Sequence, residues 1–302
     1  MGVVSRAPWA PYYPFTGKVA EIGGHQMHYL DEGKGETVVM VHGNPTWSFY
    51  FREVVKALSG KYRCIVPDHI GMGLSDKPSE DVYDYTLSRR IDDLEALLEK
   101  VVPTGPVTLI VHDWGGMIGM GWAVRHPQRV ARIVALNTGC FRLPESKSFP
   151  LPLAVSRSAL GPYLIRGGNA FAATAARVCA VKRPLSAELR AAYTAPYSSW
   201  ADRVATLKFV QDIPLSPADR AWDTVVAVEE NLFLLKDVPM FLPWGMKDWV
   251  FDAEFLKGWT ARFPKAEAHR FHDCGHYLLE DAPEVIPMIA DFLSRHPLPS
   301  AA

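Results

Sequence analysis

In His112-Asp113-Trp114-Gly115-Gly116 an aspartate stands between an apolar run and a pair of glycines. Val107 to Val111 before it reads as a strand and Met117 to Val124 after it as a helix, which puts Asp113 on a sharp strand-to-helix turn. Such an elbow thrusts one side chain outward and leaves no room for a Cβ beside it, a need that Gly115 and Gly116 meet. A serine at that point suits attack on a carbonyl. A carboxylate instead displaces a leaving group from a saturated carbon and forms an alkyl ester. The simpler alternative is that Asp113 caps the helix beside it. Two further motifs weigh against that reading.

His42-Gly43-Asn44-Pro45 follows the apolar run Thr37 to Val41, so its backbone falls at the same sheet edge as the aspartate. A turn of this type supplies one backbone N–H of an oxyanion hole, and the residue after the nucleophile, Trp114, supplies the other. The Asn44 amide and the Trp114 indole add side-chain N–H donors suited to a departing halide or carboxylate. Gly275-His276-Tyr277 comes after the last expected strand, where a histidine of near-neutral pKa can take a proton from water attacking an ester. Of the other histidines, His42 and His112 belong to the motif turns and His69 to a structural loop, while His272 is read within the last strand. His25, His28, His126, His269 and His296 lack a strand-end setting. An acid must hold His276 in its working tautomer. Asp248, after the run ending at Trp244, has the strand-end position. Asp252 reads better as a helix cap, and Asn137-Thr138-Gly139 offers no carboxylate after the strand ending near Leu136.

These groups need a scaffold that brings several strand ends together. Strands are expected at Lys18–Ile22, Gln26–Asp31, Thr37–His42, Tyr62–Pro67, Val107–His112, Val130–Leu136, Pro239–Trp244 and Glu267–Asp273. Helices fit Tyr50–Leu58, Leu87–Val101, Gly116–Arg125, Ala253–Arg262 and Pro283–Leu293. The alternation predicts an α/β fold with a mostly parallel, eight-stranded sheet flanked by helices. Residues 140–236 are rich in proline and short amphipathic segments. They read as a helical cap inserted between the core parts 1–139 and 237–302, with Phe141, Phe149, Leu151, Leu153, Phe171 and Phe209 among its apolar material. The charges opposite Leu87, Ile91, Leu94 and Leu98 read as a solvated face. Pro8 to Phe15 reads as an extended arm packed on the core.

With 302 residues, 48% hydrophobic content and a formal charge of −1, the chain can bury a large core, and its charge balance suggests neither nucleic acid nor an anionic surface. No run approaches the ~20 apolar residues of a membrane span, and no basic-then-apolar leader opens the chain, so the expected location is the cytoplasm. Cys64, Cys140, Cys179 and Cys274 show no CxxC spacing and read as buried filler. No metal set is evident. Gly71-Met72-Gly73-Leu74-Ser75 lacks the ending of a phosphate loop, so no cofactor is expected.

Through His42–Trp47, His112–Gly116, Asp248 and Gly275–Tyr277, the chain resembles the haloalkane dehalogenase branch of the α/β-hydrolases over nearly its full length. The order Asp113, Asp248, His276 is that of the superfamily. The resemblance implies an Asp113 nucleophile, an Asn44–Trp114 leaving-group pair and a His276–Asp248 base. The runs Cys64–Pro78 and Gln211–Asp219 look more specifically like the β-lactone decarboxylases of bacterial olefin biosynthesis. This implies a hydrophobic, long-chain substrate and association with other enzymes of olefin formation. Displacement at the ring carbon of a β-lactone releases a carboxylate where a dehalogenase releases halide, so one site can serve both reactions. An epoxide hydrolase would need cap tyrosines, for which Tyr163, Tyr193 and Tyr197 are candidates. A non-catalytic receptor or scaffold on the same fold is the alternative from another class.

Overall fold

The computed structural model describes residues 7–298. One sheet contains β1 (Lys18–Ile22), β2 (His25–Glu32), β3 (Glu36–Val41), β4 (Tyr62–Pro67), β5 (Val107–Asp113), β6 (Val130–Thr138), β7 (Met240–Gly245) and β8 (Glu267–Phe271). Its eight strands lie in the order β1-β2-β4-β3-β5-β6-β7-β8. The pairs β1/β2 and β2/β4 are antiparallel and all later pairs are parallel. Around the sheet lie α1 (Arg52–Leu58), α2 (Leu87–Val101), α3 (Trp114–Arg125), α4 (Leu151–Arg157), α5 (Ala170–Val178), α6 (Ala187–Thr194), α7 (Val204–Gln211), α8 (Trp222–Asn231), α9 (Ala253–Arg262), α10 (Leu278–Asp281) and α11 (Val285–Arg295).

The central strands read as unbroken apolar runs because both of their faces are covered. Along β3, Val38 and Met40 join a core with Val54, Val55 and Leu58 of α1 and Ile289, Phe292 and Leu293 of α11. Val39 and Val41 point the other way, into a core with Leu94 and Leu98 of α2 and Ile118 and Trp122 of α3. β5 is buried at every position. The chain leaves β3 toward β4 on one side, then returns to place β5 on the other. Loops after β3 and β5 therefore open side by side at a switch point, where ligands bind in such sheets.

Several element ends differ from expectation. The 3-10 turn Ser48–Phe51 precedes α1, α3 starts at Trp114, and α11 runs to Arg295. β8 stops at Phe271, whose carbonyl accepts the Met246 N–H, so His272 lies in the following turn and not in the strand. The charged face of α2 is only partly solvated: Arg90 is 1% and Asp93 4% exposed. Between β6 and β7 the elements are all helical, α4 through α8 with short 3-10 and π turns. The N-terminal arm packs on the core, with Tyr13 buried, its ring against Trp47 and Phe49, and its hydroxyl bonded to Ser48 Oγ at 2.5 Å, but residues 8–12 form turns closed by the Ala10 and Tyr12 N–H groups and are not extended.

Candidate active site

Asp113 ends β5 with φ 53° and ψ −127°, a left-handed region that an ordinary residue enters only under strain. Its side chain makes no capping bond to α3, so the capping alternative is not what the side chain does. The tight approach of neighbours explains the small residues. A Cβ on Gly115 would lie 1.9 Å from the Val41 carbonyl oxygen, and one on Gly43 would lie 1.9 Å from Asp113 Oδ1. Thr138 Oγ1, from the neighbouring strand, donates to the Asp113 carbonyl and fixes the elbow from behind.

The strand ends bring the expected residues together. The Asn44 backbone N–H donates to Asp113 Oδ1 at 2.6 Å. One of the two amides expected to form an oxyanion hole thus already grips the aspartate. On the other side, His276 Nε2 lies 3.6 Å from Asp113 Oδ2, and His276 Nδ1 lies 2.7 Å from Asp248 Oδ2. All three groups are nearly sealed from solvent. Burial pushes the Asp113 carboxyl up to about 6, opposed by His276 and the two amide N–H groups. Burial alone would lower the His276 pKa, but the carboxylates of Asp248 and Asp113 carry it above the usual imidazole value.

Asn137 takes a part that its sequence setting did not disclose. At the end of β6, it donates to Asp248 Oδ2 at 3.0 Å and to the Gly245 carbonyl at 2.9 Å, and accepts the Gly245 N–H at 2.8 Å. It therefore ties the end of β6 to the loop that carries Asp248. The Val250 N–H satisfies the other Asp248 oxygen at 2.7 Å. Asp252 caps α9 through the Glu254 N–H, as expected, and takes no part in the cluster.

The Asn44 amide is already tied to a helix of the 140–236 segment. Its Nδ2 donates to the Thr206 carbonyl of α7 at 3.1 Å, which uses one of its two N–H bonds and fixes the amide plane. From the same helix Phe209 packs on the Trp114 indole, 5.3 Å between centroids, and the Arg90 guanidinium sits 3.7 Å over the Phe209 ring. Arg90 is held by Asp212, just past α7, at 3.3 Å, and Asp212 also accepts the Leu87 N–H at 2.6 Å. Helix α7 thus backs both expected leaving-group residues, and a buried ion pair fastens it to α2. No single-segment pattern in the sequence signals this pair.

Above the cluster lies a cavity of about 680 Å³, lined at its floor by Asn44, Asp113, Trp114 and His276 and elsewhere almost wholly by apolar side chains of residues 141–215 and 249–255. Among the described residues Lys147 is the single Lys or Arg that lines it, and its Nζ is taken by Asp252 Oδ2 at 2.6 Å and the Trp249 carbonyl at 3.2 Å. None of Tyr163, Tyr193 and Tyr197 lines this cavity. Tyr193 donates to Glu280 and Tyr163 is 72% exposed, so the epoxide reading loses its proton donors. All four cysteines are free and buried, and burial pushes Cys274 up to about 12.

The chain belongs to the α/β-hydrolase fold family, whose description matches residues 36–283. Among its relatives are proteins named cis-3-alkyl-4-alkyloxetan-2-one decarboxylase. The one from Shewanella oneidensis is 52% identical over 93% of this chain and 89% of its own length. Its namesake from Xanthomonas campestris is 49% identical over 95% and 99%. Haloalkane dehalogenase 2 of Mycobacterium tuberculosis is more distant, 30% identical over 91% and 93%. Among solved structures, the haloalkane dehalogenase DbeA from Bradyrhizobium elkani superposes with a TM-score of 0.83 at 25% identity, over 93% of this chain and 99% of that one.

Proposed function

We propose that the protein decarboxylates cis-3,4-dialkyl β-lactones to cis alkenes and CO2, with Asp113 as nucleophile. The observation that carries this reading is a carboxylate elbow beneath an apolar cavity, in a chain about half identical to proteins named for that reaction. Asp113 Oδ1 is occupied by the Asn44 amide, which leaves Oδ2 to attack the ring carbon bonded to the ring oxygen. That C–O bond breaks with inversion, ring strain assists, and a carboxylate emerges toward Asn44 and Trp114. The bond from its carboxyl carbon to the chain then breaks, its electrons form the alkene, and the ester bond to Asp113 opens on the opposite face. CO2 leaves, Asp113 is restored as a carboxylate, and no water or proton is consumed.

In that cycle His276 has no proton to move. Its role is to keep Asp113 ionised against burial, with Asp248 and Asn137 fixing the ring. Residues 140–236 serve as the cap that encloses two alkyl chains. The protein acts in the cytoplasm beside the enzymes that supply its lactone. Among the described residues, no helix is long and apolar enough to cross a membrane.

A hydrolytic reading keeps one observation in its favour. His276 Nε2, 3.6 Å from Asp113, is placed to activate water on an alkyl ester, as haloalkane hydrolysis requires. NMR of the products from a long-chain cis-disubstituted β-lactone, with an Asp113→Ala control, separates the two. Enzyme-dependent cis alkene is expected. Unchanged lactone or its β-hydroxy acid would reject the decarboxylase reading.

A further inference from the structure

The cavity mouth is apolar on its outer face as well as its inner one. Leu151, Val155, Leu164, Val178 and Trp249 line the cavity and are yet 74, 39, 39, 44 and 39% exposed. Leu160 and Tyr163, 61 and 72% exposed, extend the patch beyond the cavity lining. Scattered exposed leucines need no explanation, but exposed apolar residues gathered on the walls of one binding cavity mark an interaction surface.

The charge around this rim has one sign in the sequence. Residues 146–187 contain Lys147, Arg157, Arg166, Arg177, Lys182 and Arg183 and no aspartate or glutamate, a segregation hidden within a chain of net charge −1. Carboxylates from other elements meet four of these cations: Asp252 meets Lys147, Asp219 meets Arg157, Glu80 meets Arg166, and Asp273 with Glu284 meets Lys182. Arg177 and Arg183 are exposed, flank Val178 and Val181, and have no ion-pair partner among the described residues.

We propose that this face docks on an anionic lipid bilayer and draws its substrate straight from the membrane into the cavity. The inference rests on the lactone reading for the substrate, an uncharged molecule with long chains that partitions into lipid. The occupant must cover the rim without sealing the mouth. A bilayer does so, because its interior dissolves the substrate that has to pass, whereas a protein seated across the mouth would plug it. Apolar side chains at the headgroup boundary with arginines beside them are the two signals of reversible interfacial binding.

The test is sedimentation of the full-length protein with vesicles of phosphatidylglycerol and phosphatidylcholine, and with phosphatidylcholine alone. The wild type is expected to pellet with the anionic vesicles. A Leu160→Ser/Tyr163→Ser variant and an Arg177→Glu/Arg183→Glu variant are each expected to lose about ten-fold or more in binding. These residues lie outside the cavity lining, so turnover of a short, water-soluble lactone should be unchanged, while turnover of a long-chain lactone held in vesicles should fall. Wild type remaining in the supernatant, or both variants pelleting as it does, would overturn the docking. A protein that captures the chain through these residues while vesicles do not would overturn it too. Sedimentation needs no turnover, so failure of docking and failure to convert the soluble lactone are read separately.

Discussion

The floor and the roof of the cavity are built on opposite principles. At the floor, Asp113, Asp248, His276 and Asn137 sit at four adjacent strand ends, and nearly every polar atom is held by another at 2.6 to 3.6 Å. The roof is made of short helices interrupted by prolines, whose apolar side chains contact substrate space through shape alone. A hydrogen-bonded floor fixes the reacting atoms where small displacements are costly. The roof instead accommodates chains that offer nothing to hydrogen-bond. The two meet at α7, which orients Asn44 through the Thr206 carbonyl and presses Phe209 on Trp114.

The comparison is broken most severely at the floor. Asp113→Asn should cost at least about 10⁴-fold in turnover, read as alkene formed per enzyme. The same substitution should stabilise the fold at neutral pH. Asp113 titrates at about 6 in the folded chain against an ordinary 3.8, so between these values the folded state holds more protons and stability falls as pH rises. A neutral amide escapes that loss, and denaturant melts at pH 5 and pH 7.5 would show it.

At the junction, Asp212→Ala leaves the Arg90 cation buried without its partner and should destabilise by roughly 3–5 kcal/mol in chemical denaturation. Arg90→Met with Asp212→Leu should recover much of that loss, because an apolar pair of similar volume avoids the desolvation of both charges. If the double variant were no more stable than the single one, the pair would not be acting as a unit.

The pH profile sharpens the role of the histidine. Turnover should fall as pH drops through about 6, where Asp113 gains its proton. No loss is expected between about 6 and the raised pKa of His276, where His276 is cationic and Asp113 still ionised, since the decarboxylative cycle does not use the imidazole as a base. Removing the imidazole as His276→Gln should move the acid limb to higher pH. A hydrolytic enzyme would behave otherwise, needing neutral His276 and hence a pH above its raised pKa. The smallest effect belongs to the roof. Ile165→Val trims a buried cavity wall and should cost about 1 kcal/mol of stability, leaving kcat for a short lactone unchanged.

The floor was legible in the sequence because its parts obey local rules. Asp113 announces itself by a strand, an elbow and two glycines, Asn44 and Asp248 by following apolar runs, and His276 by following the last strand. All four arrive at one place because parallel strands align their carboxyl ends. In the sequence Asn137 shows only as the absence of an acid after β6. Its hold on Asp248 depends on the separation of β6 from the loop after β7, which no single segment encodes. Arg90 looked like one more charge on the face of α2. Its burial is decided by α7, 114 to 121 residues further along, so helical periodicity could not reveal it. The helices between β6 and β7 are legible as a class but not one by one, since seven- to ten-residue elements between prolines carry too few turns for a clear period.

The central claim is that Asp113 forms an ester that is released by loss of CO2 and not by water. Many turnovers of a cis-disubstituted β-lactone in ¹⁸O-labelled water, followed by mass spectrometry of the Asp113 peptide and analysis of the alkene in the same tube, test it directly. Alkene accumulating with an unlabelled Asp113 carboxylate is the expected result. Heavy oxygen in Asp113, with β-hydroxy acid in place of alkene, would contradict it.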